Sequence, residues 1–179
     1  MDDIDTDGFR ANVGIVLSNH AGEVFLGGRT RQSGWQFPQG GVGVNETLEE
    51  AMYRELQEEV GLQPQDIEVL GSTRGWIRYE LPEKYIRRDT HPVCIGQKQR
   101  WFLLRLVGAD SRVCLDTTRI PEFNRWRWVD YWRPVKEVIY FKRKVYVQAL
   151  HELGPILFPD SVPPRPRWWP KEWELQDIE

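Results

Sequence analysis

The segment Leu48–Val60 constrains the fold more than any other, because it is a helix whose apolar stripe contains acid. Thr47 with Glu50 three residues on makes a capping box, and the residues that follow are good helix formers. Gly61 suits the left-handed position after a helix, and Pro64 prevents continuation. At about 100° per residue, Leu48, Ala51, Met52, Leu56 and Val60 share one broad stripe that faces a core. Glu55 and Glu59 fall inside that stripe and Glu58 lies at its edge, while Glu50, Tyr53 and Gln57 take the solvent side. Carboxylates on a semi-buried face are costly unless they are paired or hold a cation. Arg54 answers only part of that charge.

Around this helix the pattern is mostly of strands. Ala11–Leu17 and Val24–Arg29 alternate, joined by a polar turn with Gly22 as the breaker. Gly34–Gly43 (GWQFPQGGVG) is too rich in Gly and Pro for a helix or a central strand and is expected as a loop. Ile67–Leu81 is expected as one long or bent strand, Gln99–Leu106 as an apolar strand, and Arg125–Val129 as a shorter one. Trp126, Trp128 and Trp132, interleaved with arginines, fit a strand with one buried face better than a stacking platform. Pro134 to about Leu153 is expected as a helix with Val138, Val145, Ala149 and Leu153 inward. Strands with few helices between them imply an α+β domain rather than a doubly wound parallel sheet. Six of the twelve prolines lie from Pro155 onward, so residues 1–154 are expected as the domain and 155–179 as an extended tail, anchored by Trp168, Trp169 and Trp173.

Charge distribution narrows the class. The net charge is −3, yet between Glu46 and Glu59 there are six glutamates against one arginine. Basic segments flank this acidic centre: eight Lys or Arg against three acids over Gly71–Arg105, and seven against two over Arg125–Lys144. A cation site acting on a polyanion needs that arrangement. No apolar run approaches a membrane span, and the acidic N-terminus is unlike a signal peptide. Two cysteines without metal-ligand spacing suggest neither a disulfide framework nor a zinc site, so a cytoplasmic setting is expected. Three glutamates at i, i+3 and i+4 project from adjoining turns and suit Mg²⁺ or Mn²⁺. Spacing alone leaves open a solvated acidic helix with an Arg54–Glu58 bridge.

The run Gly40-x5-Glu46-x7-Arg54-Glu55-Leu56-x-Glu58-Glu59-x-Gly61-Leu62 resembles the Nudix box at all nine of its specified positions. That resemblance implies an α/β/α sandwich with a mixed sheet, a loop–helix–loop that binds divalent metal, and hydrolysis of phosphoanhydride bonds. It makes Glu55, Glu58 and Glu59 the metal ligands, one of them also handling the proton of the attacking water, with the assignment left open. Arg54 and Glu46 would orient the helix, and Gly40 would let the backbone pass close to the metal.

The flanks DGFRANVGIV, WQFPQGG, PVCIGQKQRWFLL, PEFNRWRWV and VIYFKRKVY are similar to the bacterial RNA 5′-pyrophosphohydrolase group of that family. This implies removal of pyrophosphate from tri- or diphosphorylated RNA, the opening step of mRNA decay, with a single-stranded RNA 5′ end as the partner. It implies that Arg10 and Phe141 clasp the first base of the RNA, Arg29 meets the phosphates, Glu122 adds a carboxylate to the metal site, and Lys142 contacts the next nucleotide. Gln97 and Lys98 lie in the matching GQKQ stretch. Stacking on an aromatic ring beside Lys142, Arg143 and Lys144, expected on one helix, fits single-strand recognition. The competing readings are a dinucleoside polyphosphate hydrolase and a non-catalytic RNA-binding module. The tail RPRWWPKEWELQDIE ends acidic and makes a tail role in RNA binding doubtful.

Overall fold

A polar turn with Gly22 in the left-handed region (φ 80°) reverses the chain between β1 (Phe9–Ser18) and β2 (Val24–Arg29). The computed structural model describes residues 3–173, so the acidic end of the tail, residues 174–179, lies outside it. β1 and β2 pair at the hairpin, Ser18 opposite Val24, and then part. The expected loop Gly34–Gly43 lies between them and holds two short strands: β3 (Trp35–Gln36) on β2 and β4 (Gln39–Gly41) on β1. These pieces are too short for a periodic signal. They are strands because the parting edges offer backbone donors and acceptors that need partners.

After α1 (Leu48–Val60) the expected long strand is two. β5 (Ile67–Ser72) and β6 (Ile77–Glu80) both pair antiparallel with β7 (Gly96–Leu106), separated by a turn through Gly75. β7 runs parallel to β1 from Phe9 opposite Gly96 to Ser18 opposite Arg105, and β8 (Phe123–Val129) lies antiparallel on β2. The sheet is therefore mixed.

The expected single helix from Pro134 is broken. α2 (Arg133–Glu137) stops, Val138 is extended (ψ 156°), residues 140–142 form a 3₁₀ turn, and α3 (Arg143–Leu157) begins after it. Adjacent β-branched residues, Val138 and Ile139, disfavour helix where the break occurs. At the other end α3 continues through Pro155 to Leu157, so the expected boundary after residue 154 falls inside a helix. Beyond it the chain lies back on the body. Trp132 Nε1 donates to the Pro163 carbonyl at 2.8 Å, Trp169 meets Trp132 edge-on at 5.4 Å, and Trp168 and Trp173 close the cluster.

Alternation along β1 and β7 builds two cores. Val13, Ile15, Leu17, Phe102 and Leu104 face α1, meeting Met52, Leu56 and Val60. Val16, Trp101 and Leu103 face the other side, meeting Val145, Ala149 and Leu153 of α3, with Val138 beside them. Trp126 and Trp128 lie half-buried against Phe25 in the first core, while Arg125 and Arg127 turn outward over Trp35. The result is an α/β/α sandwich with the mixed sheet in the middle. Among the described residues no helix is long and apolar enough to cross a membrane.

Candidate active site

The parting of β1 and β2 brings β4 beneath the acidic face of α1. Thr47 caps that helix by accepting from the Glu50 N–H at 3.1 Å, and Gly61 closes it with φ 74°. The wheel position of Glu55 is realised as a buried carboxylate, 7% exposed. Glu59 is half-buried and Glu58 is exposed. Gly40 on β4 faces Glu55 so closely that a Cβ there would stand 1.9 Å from the carboxyl carbon and 2.0 and 2.3 Å from its oxygens. Any side chain at residue 40 would occupy the space of the acid. The next residue back, Gln39, donates its N–H to Glu59 Oε2 at 3.1 Å.

Arg54 organises the other side. It grips Glu46 with two bonds of 2.7 and 2.8 Å, reaches Glu55 Oε1 at 2.6 Å and Glu58 Oε2 at 3.4 Å, and donates to the Gly41 carbonyl at 2.7 Å. Glu46 also accepts from the Gly43 N–H at 3.0 Å. Arg54 hydrogen bonding holds the Glu46 carboxyl down at about 2. Glu55 goes the other way. Burial outweighs the Arg54 contact and lifts it to about 7. Glu59 is raised well above the ordinary carboxylate range, first by burial and then by repulsion from Glu55 and Glu122.

Glu122, just before β8, adds a fourth acid. Gln36 Nε2 lies 3.4 Å from its Oε1 and Arg29 Nε lies 3.9 Å from the same atom. Lys142 is buried, 8% exposed, and its ammonium falls to about 8 through burial and the nearby Arg29, opposed by Glu122 and Glu59. Lys142 is expected to contact the nucleotide that follows the clasped base, and the structure places it, buried, beside Phe141. The two residues follow one another in the 3₁₀ turn and both meet Tyr79: Lys142 Nζ lies 5.9 Å from its ring centre and the Phe141 ring 6.0 Å.

Phe141 packs against Tyr79 at 6.0 Å and Tyr85 at 5.6 Å. Arg10 and Gln97 are neighbours across β1 and β7 and line a cavity of about 720 Å³ together with Tyr85. Lys98 is not brought to this face. Adjacent strand residues point to opposite sides, so Lys98 pairs with Asp5 at 3.0 Å and lies over Trp76. Sequence reasoning assigned no role to Gln36, Gln39, Tyr79 or Tyr85. Gln36 and Gln39 stood in the matching WQFPQGG run, whereas the tyrosines are identified only by strand pairing and ring contact.

The donor set fits a hard cation. Glu55, Glu58, Glu59 and Glu122 supply carboxylate oxygen only, and a bound cation would favour the ionised form of Glu55 and Glu59 that burial disfavours. Among the described residues no three such side chains already converge on one point; Glu55 is held by Arg54 and Glu59 by the Gln39 N–H. The sandwich and this cluster define a class: a hydrolase of phosphoanhydride bonds dependent on divalent metal. The chain belongs to the NUDIX domain family, whose profile matches residues 8–150. A relative from Alkalilimnicola ehrlichii, named RNA pyrophosphohydrolase, is 62% identical over 163 residues, covering 91% of this chain and 90% of its own. One of the same name from Stutzerimonas stutzeri is 58% identical, covering 86% and 97%. Among solved structures, the E. coli dihydroneopterin triphosphate pyrophosphohydrolase matches with TM-score 0.61 at 19% identity, covering 77% of this chain and 92% of that one. A C. elegans Ap4A hydrolase matches with TM-score 0.59 at 18% identity, covering 83% and 98%. At those identities the likeness is one of fold.

Proposed function

We propose that this protein is an RNA 5′-pyrophosphohydrolase that converts 5′-triphosphorylated or diphosphorylated RNA to 5′-monophosphate RNA. The observation that carries this reading is the junction at Phe141–Lys142: an aromatic ring and a buried ammonium, adjacent in one 3₁₀ turn and both against Tyr79. A base stacked on Phe141 would be one residue from a cation that meets its phosphates. The two relatives named for this activity support it.

In this reading Glu55, Glu58, Glu59 and Glu122 hold Mg²⁺, for which Mn²⁺ can substitute. A metal held there would neutralise phosphate charge and favour attack by water on phosphorus. Arg54 and Gly40 position Glu55, and the Gln39 N–H positions Glu59. Arg29 and Lys142 bind the phosphate oxygens, and Arg10 and Phe141 clasp a base. The phosphoanhydride P–O bond breaks, and the RNA keeps its α-phosphate. Both cysteines are free, and we place the protein in the cytoplasm, where a monophosphate end marks a transcript for decay. Incubation of RNA labelled at the 5′ γ-phosphate with the protein and Mg²⁺ should release label as pyrophosphate or phosphate, and Glu59→Gln should abolish that release. No release from RNA, with rapid cleavage of dinucleoside polyphosphates, would show the small-molecule reading to be the right one.

A further inference from the structure

Five prolines between Pro159 and Pro170 preset the backbone of the tail, and two of its turns gather three tryptophans. The Trp169 N–H donates to the Pro166 carbonyl at 3.0 Å and the Trp173 N–H to the Pro170 carbonyl at 3.1 Å. The rings of Trp168, Trp169 and Trp173 lie 5.8, 5.6 and 6.2 Å from one another. Trp169 ties this cluster to Trp132, just before α2, at 5.4 Å. The other two rings each take a cation, and the two cations stand on opposite sides of the break between α2 and α3. Lys136 Nζ, on α2, lies 5.5 Å from the Trp168 ring centre, and Arg143 Cζ, at the start of α3, lies 5.4 Å from that of Trp173. Arg143 Nε is buried without a hydrogen-bond partner, and the attraction of the ring offsets part of that cost.

The break has little backbone bonding of its own to fix it. α2 ends on a bond of 3.1 Å from the Val138 N–H to the Pro134 carbonyl, the turn holds one of 3.0 Å from the Lys142 N–H to the Ile139 carbonyl, and α3 starts without a side-chain cap. Val138 and Lys142 are buried, but another side of the segment borders a cavity of about 330 Å³ lined by Lys136, Val138, Tyr140 and Arg143. A segment beside a cavity can shift where a close-packed one cannot. The tryptophan cluster joins Lys136 to Arg143 and so spans the break that carries Phe141 and Lys142. We propose that Trp168 and Trp173 are positioning residues, holding α2 and α3 at the spacing that presents Phe141 and Lys142 to RNA. The tail thus serves substrate binding through the 3₁₀ turn, without touching the RNA. The inference rests on the RNA reading and adds to it a brace outside the site.

The test measures kcat and KM on 5′-triphosphorylated RNA with the full chain and Mg²⁺. Trp168→Ala combined with Trp173→Ala should raise KM by roughly fivefold, less than the loss of one stacked base, and leave kcat within about twofold. Trp168→Phe combined with Trp173→Phe keeps a ring for each cation and should hold KM within about twofold of the parent. Lys136→Met, which removes one cation and leaves both cores intact, should raise KM in the same direction. In a Phe141→Ala background the two alanine substitutions should add less than about twofold to KM, because the ring they position is gone. A tail that only stabilises the fold would lower the melting temperature and the active fraction, and with it kcat, without moving KM. Unchanged KM in both the tryptophan and the Lys136 variants, a fall in kcat alone, or full additivity with Phe141→Ala would overturn the brace while leaving the RNA reading in place. No hydrolysis of RNA by the intact protein would overturn both.

Discussion

Replacing Gly40 with Ala tests how the catalytic helix is positioned. The added methyl would stand 1.9–2.3 Å from the Glu55 carboxyl group, where ordinary contact needs about 3.4 Å or more. The carboxyl must retreat by roughly 1.5 Å, since β4 is held by Gly40 pairing with Val13. Such a retreat breaks the 2.6 Å contact with Arg54 and moves an oxygen that the proposal assigns to the metal by more than an ångström. A misplacement of that size costs about 100-fold in rate, or roughly 2.7 kcal/mol of barrier. At saturating Mg²⁺, kcat on triphosphorylated RNA should fall by about that factor, with a much smaller change in KM because the base clasp lies elsewhere. If Gly40 acts through Glu55, the same change made in a Glu55→Ala background should add little further loss. Activity within about threefold of the parent at saturating Mg²⁺, or a full additive penalty in the double variant, would refute this reasoning.

Three further predictions follow from the charge arrangement. Without metal, stability should fall between pH 5 and 8: the Glu55 folded value of about 7 lies above its unfolded 4.5, so stability is complete below 4.5 and lost as pH rises through 7. Glu55 alone is worth about 3 kcal/mol at most, and Glu59 acts in the same direction. Thermal melts in chelator should show this decline and its reversal by divalent cation, and a flat profile would contradict it. Arg54→Ala should destabilise by about 2 kcal/mol or more in chemical denaturation, because Glu55 is left buried and unpaired, and Arg54→Lys should recover little because it cannot grip Glu46 with two parallel bonds. Phe141→Ala should lower kcat/KM on RNA by roughly tenfold and on a free dinucleotide by less, and equal losses on the two substrates would argue against base stacking.

The helix α1 was legible because everything that makes it is local. Its cap, stripe and stop lie within Thr47–Pro64, and the positions of Glu55, Glu58 and Glu59 follow from helical geometry alone. The long strands were legible for the same reason, through alternation. What could not be read depends on neighbours distant in sequence. β3 and β4 exist only because β1 and β2 part, and the contact of the Tyr85 ring with Phe141 joins residues far apart in the chain. Lys98 shows a motif read without its geometry: grouped with Gln97 by resemblance, it is separated from it by the pleat of β7. Lys142 owes its burial to the break between α2 and α3, which the helical pattern from Pro134 did not reveal.

The most direct measurement is a competition in one reaction. Equal concentrations of a 5′-triphosphorylated RNA and diadenosine tetraphosphate are incubated with the protein and Mg²⁺, and the loss of each is followed. The aromatic cluster around Phe141, with Arg10 and Lys142, predicts that the RNA is consumed first, by a kcat/KM ratio of about ten or more. Faster loss of the dinucleotide would contradict the account.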